Sequence, residues 1–148
     1  MKMKLLLLAG IFLWSFSLFA QDGKLSEEKR KEFDAQKAAY FTQVLDLTPE
    51  ESAAFWPLYN EMSKKLREQE RAMGKAMSEA NKTPELTDKQ ALEVIKTIQS
   101  CGQNLLDIKK DYYEKMMKVI PVRKVGKLDG VERRFHKQLF EKLKKSHR

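Results

Sequence analysis

Between Pro49 and Pro121, apolar side chains recur in steps of three, four and seven, which is the period of a helix and of no other regular structure. The first stripe runs Phe55, Tyr59, Met62, Leu66, Met73, Met77 and Ala80, with Gln69 its one polar gap. Residues 49–80 would span about 48 Å at roughly 1.5 Å per residue. The second stripe is Ala91, Ile95, Ile98, Gly102, Leu105, Tyr112, Met116 and Ile120. No segment sustains a two-residue alternation between turn signals, so no sheet is expected.

Both stripes are preceded by a helix-start signal. In Leu47-Thr48-Pro49-Glu50-Glu51, Thr48 can accept from the orphan amides, Pro49 suits the first helical position and Glu51 completes a capping box. Leu86-Thr87-Asp88-Lys89-Gln90 repeats the logic, with Thr87 as cap and Gln90 reaching back. Only Asn81-Lys82-Thr83-Pro84-Glu85 separates the two helices, so they are expected to pack antiparallel. A weaker stripe predicts a flanking helix over Ser26 to Leu45, and Pro121 can open a last helix carrying Val125, Leu128, Phe135, Leu139 and Leu143, with Glu132 interrupting. Pro57, well inside the first long helix, removes a backbone bond and predicts a kink. The expected fold is all-α: a long antiparallel hairpin with flanking N- and C-terminal helices.

Met1 to Ala20 reads as an export signal, with Lys2 and Lys4 ahead of an uncharged run from Leu5 to Phe19 and the small Ala20 before a cut. An uncleaved anchor is the alternative, although the run is shorter than the roughly 20 residues a membrane span wants. Cleavage leaves residues 21–148 as a single helical domain in the periplasm. It has 27 basic and 21 acidic side chains, so 48 of its 128 residues are charged, a composition suited to long, thin helices. Export argues against nucleotide chemistry and against nucleic acid as the partner of the basic charge. That charge is C-terminal: from Val122 to Arg148 ten basic residues face three acids.

Catalytic chemistry has little to build on. His136 and His147 stand on the basic terminal segment without nearby Cys, and no His or Cys pair has metal-ligand spacing. Glu27-Glu28 and Glu50-Glu51 lie at helix starts, where the helix dipole accounts for them. Cys101, the only cysteine, sits beside Ile98 and Leu105 at helical spacing and reads as a small buried side chain. The expectation is a non-enzyme without cofactor or metal.

Surfaces remain. Trp56 either faces outward at the Pro57 bend or packs the first helix against it, and packing is the simpler reading. Met73 and Met77 offer adaptable thioethers to varied apolar shapes, although methionine on a stripe is more often core. Lys64, Lys65, Arg67, Arg71 and Lys75, interleaved with Glu68 and Glu70, read as a solvated face that could also meet a client or partner. Arg133 and Arg134 belong to the C-terminal run, which is either a solubilising tail or a basic helix for an acidic protein or an anionic membrane surface through residues 122–148.

The two caps carry a further likeness. Leu86 to Gln90 matches an LTxxQ pattern, and Leu47 to Glu51 matches it with Glu for Gln. With the export signal and the basic helical chain, the sequence resembles the Spy/CpxP family of LTxxQ periplasmic proteins over most of residues 40–145. Leu47 to Tyr59 is also similar to exported envelope proteins with an LTPEE…FWPxYNE segment, some regarded as sensors of extracytoplasmic sigma factors. The resemblance implies a helical cradle, usually a homodimer. It implies either an ATP-independent chaperone that holds unfolded or partly folded envelope proteins, or a regulator bound to one envelope-stress sensor or anti-sigma partner. The motif residues are Leu47, Thr48, Glu51, Leu86, Thr87 and Gln90, with a structural role in capping and loop packing. Zinc-binding relatives use His and Cys clusters that this chain lacks, so metal sensing does not carry over.

Overall fold

A computed structural model describes residues 19–146. Within them every regular element is helical: α1 Phe19–Leu45, α2 Pro49–Lys82, α3 Asp88–Met116, the single turn α4 Val122–Val125, and α5 Leu128–Ser146. The expected export segment lies outside the described residues apart from its last two, and so does His147. Among the described residues no helix is long and apolar enough to cross a membrane.

Two compact units divide the chain, Met1–Phe41 and Thr42–Arg148. In the first, α1 is already helical at Phe19, ahead of the expected Ser26, and Asp22 and Gly23 do not stop it among the helix formers Gln21, Lys24, Leu25 and Glu27. Lys37 lies over the Phe41 ring, with Nζ 5.3 Å from its centroid.

The second unit is built on α2 and α3, which pack against each other along their length. Their register is antiparallel: Gln69 accepts from Asn104 at 2.9 Å, and one turn earlier on α2 Lys65 stands over the Tyr112 ring, two turns later on α3. Phe55, Tyr59 and Met62 of α2 and Cys101, Tyr112 and Met116 of α3 are buried, as are Ile120, Val125, Leu128, Val131 and Phe135. Each large apolar side chain buried in this way contributes about 1.5–3 kcal/mol. Burial then fades toward the far end of the hairpin, where Leu66, Met73 and Ile98 are half-buried and Met77 and Ile95 are exposed. A helix pair alone covers one narrow stripe on each partner. Hydrogen bonds from α5 reach the hairpin at Tyr59, Lys109 and Tyr113.

One sequence expectation changes in detail, at Pro121, while α2 runs as one helix on both sides of Pro57 as expected. Pro57 and Ala53 are both exposed, so water can reach the carbonyl that the proline leaves without an amide. Pro121 opens only the turn Val122–Val125, and the last helix starts at Leu128 after a turn at Gly126 and Lys127. That turn brings Val125, Leu128 and Val131 into the core together. Glu132, the apparent interruption of the last stripe, accepts the Tyr59 hydroxyl at 2.6 Å.

Candidate interaction surface

The two LT segments fold alike and are wired differently. Thr48 accepts the Glu51 amide at 3.1 Å, and the Glu51 carboxylate accepts the Thr48 amide at 3.1 Å. At α3 the same pair of bonds joins Thr87 and Gln90, at 3.0 and 3.3 Å. Gln90 closes its box at the exposed end of the hairpin, next to the exposed Leu86. Glu51 sits beside the buried Leu47 and takes a second partner, Lys124 Nζ, at 2.6 Å. Lys124 also donates to the Asp46 carbonyl.

Asp46 owes its position to the way α1 ends. The Leu47 amide bonds back to the Thr42 carbonyl at 3.0 Å and the Asp46 amide to Gln43 at 3.3 Å, the paired closure of a Schellman motif. Asp46 occupies its left-handed position, φ 51°. Lys124 therefore ties the end of α1, the start of α2 and α4 into one joint. Its partners hold the Glu51 carboxyl below the usual glutamate range: first the Lys124 hydrogen bond, then the Thr48 amide, aided by the charge of Arg123.

A second polar joint fixes α5. Asp129 accepts from Lys109 at 2.7 Å and from the Tyr113 hydroxyl at 2.6 Å. Partial burial would raise the Asp129 carboxyl, but Lys109, Tyr113 and the charge of Arg133 hold it below its ordinary value. Burial, followed by the neighbouring carboxylates Glu132 and Asp129, pushes the Tyr59 and Tyr113 hydroxyls far above the usual phenol range.

The residues singled out as a client or partner surface divide in two. Trp56 is half-buried and packs edge-on against Phe55 and Tyr59, with centroids 5.1 and 5.5 Å apart. Lys65 pairs with Glu61 at 3.4 Å and shares the Tyr112 ring with Lys115, at 5.1 and 4.5 Å from its centroid. Lys75 reaches Glu79 at 3.9 Å, and Met73 is half-buried. Lys64, Arg67, Arg71, Arg133 and Arg134 are exposed. So is Met77, at 47%.

Met77 has exposed company on α3. Ile95, a member of the second stripe, is 49% exposed, and Leu92 and Leu106, which the stripes left out, are 55% and 66% exposed. The three recur in steps of three and eleven, forming an apolar line at the edge of the stripe that meets α2. The signal was present in the spacing, but assigning one stripe per helix hid it. The far half of the hairpin thus presents apolar side chains to solvent between ion pairs such as Lys96–Glu93, at 3.3 Å.

Among the described residues no three His, Cys, Asp or Glu side chains stand close enough to hold a metal ion, and Cys101 is a buried free thiol. The arrangement places exposed apolar side chains at one end of the hairpin, with cations along its sides. Compared with known proteins, the chain matches no family model, no curated protein and no solved structure.

Proposed function

We propose that this chain is an exported, periplasmic ATP-independent holding chaperone of the Spy/CpxP type. The observation that carries the reading is the set of exposed apolar residues at the far half of the hairpin, Met77, Leu92 and Ile95, with the exposed Lys64, Arg67 and Arg71 further back along α2. Such a surface suits unfolded clients for two reasons. Cations attract acidic segments at long range, and unpartnered aliphatic side chains then hold any apolar stretch without demanding one shape. No cofactor and no catalytic step is part of the proposal. A second copy of the chain is the expected companion, through the resemblance and not through a contact in hand.

The test dilutes two unrelated denatured proteins into purified residues 21–148 without ATP and follows light scattering. Suppression of both at near-stoichiometric ratios supports a general holdase. Suppression of neither, with capture of one defined envelope protein, makes the chain a dedicated regulator of a stress sensor or anti-sigma partner.

A further inference from the structure

We propose that the outward face of α5 docks the protein on an anionic lipid bilayer, with Phe140 as its apolar wedge. Arg133, Lys137, Phe140 and Lys144 recur in steps of four, three and four, so they share one side of the helix. All four are exposed, and Phe140 is 69% exposed, the largest value among the exposed large apolar residues of the described chain. The opposite side of α5 carries Leu128, Val131 and Phe135 into the core, so the helix cannot roll to hide the ring.

The acids of α5 sharpen the charge on that face. Asp129 is bound by Lys109 and Tyr113, and Glu132 by Tyr59. Of the helix's three acids only Glu141 remains outside these bonds with the hairpin, among Arg133, Arg134, Lys137, Lys144 and Lys145. A net cationic face with one exposed apolar ring complements a layer of anionic headgroups over hydrocarbon. The long stems of Lys and Arg let their charges stay among phosphates while the ring enters the acyl boundary. An acidic protein would instead seek a contiguous, fully desolvated apolar centre around its anchor. On this face of α5, Phe140 stands as a single large apolar side chain among cations, one turn from the exposed His136.

The experiment is vesicle flotation of the full chain with phosphatidylcholine alone and with phosphatidylcholine mixed with phosphatidylglycerol. Residues 5–19 are present in every sample, so comparison of variants isolates α5. The parent chain is expected to float with anionic vesicles and to release with added salt. Lys137→Glu with Lys144→Glu lowers its partition about tenfold or more. Phe140→Ser weakens binding several-fold while keeping the salt dependence. If the charge-reversed chain melts early by circular dichroism, Lys137→Gln with Lys144→Gln replaces it. Unchanged flotation of the variants with anionic vesicles overturns the proposal. So does capture of the parent by soluble polyglutamate with no flotation, which assigns the face to an acidic protein.

Discussion

Lys124 and Glu51 meet at 2.6 Å across 73 positions of sequence, and the carboxylate they share also closes the capping box that starts α2. The Glu that departs from the LTxxQ pattern at this position is the partner of a buried lysine, whereas the Gln of the second box serves an exposed helix start. A neutral amide at 51 would keep the cap and leave the Lys124 ammonium without a counter-charge in a site it shares only with the Asp46 carbonyl. One capping motif therefore holds the joint between helices and the other merely starts one.

Thr48→Ala removes the side-chain acceptor for the Glu51 amide and should cost about 1 kcal/mol, read from urea melts. Lys124→Met should cost more, because it frees the Asp46 carbonyl and the Glu51 carboxylate together. Glu51→Gln should destabilise the native chain and have little effect in the Lys124→Met background. Equal effects in both backgrounds would remove the coupling.

Acid should loosen both joints. The folded Glu51 carboxyl lies below its ordinary value near 4.5, and that of Asp129 lies below 3.8. Each folded pKa is depressed, so the stabilisation is complete above the ordinary value and is lost as pH falls through the lower folded one. Thermal melts from pH 6 downward should hold their midpoint to about pH 4.5 and then fall. Lys124→Met should flatten part of that fall.

Alkali acts through the tyrosines bound to α5. Tyr59 and Tyr113 ionise far above the usual phenol range when folded, so their contribution is complete below pH 10 and is lost as pH rises beyond it. Phenolate absorbance should show at least two of the four tyrosines ionising only with unfolding. Tyr59→Phe should remove one late-ionising group and leave Glu132 without its donor.

Asp46 holds a left-handed conformation that glycine takes without a side-chain penalty. Asp46→Gly keeps the carbonyl that Lys124 uses and should raise stability by up to about 1 kcal/mol. Asp46→Val should lower it, since a β-branched residue resists positive φ. A destabilised Asp46→Gly chain would mean that the carboxylate itself contributes to the turn.

The helices and both caps were legible in the sequence because they rest on local rules: period, proline placement and the three-residue reach of a capping box. Lys124 and Glu132 were not legible. Each looks like an ordinary member of a charged helix, and its role depends on a partner 73 positions away, Glu51 for one and Tyr59 for the other. Leu92 and Leu106 were lost for another reason. The period locates apolar residues on a helix, but which of them are covered depends on whether a third element packs there.

The most direct measurement compares suppression of aggregation by the native chain with that of Met77→Ser combined with Ile95→Ser. Both side chains are exposed, so melts should agree to within about 0.5 kcal/mol per site. For a holdase working through the far half of the hairpin, the double variant should lose most of its suppression of two unrelated clients while staying folded. Full activity in the double variant would place client holding elsewhere on the chain.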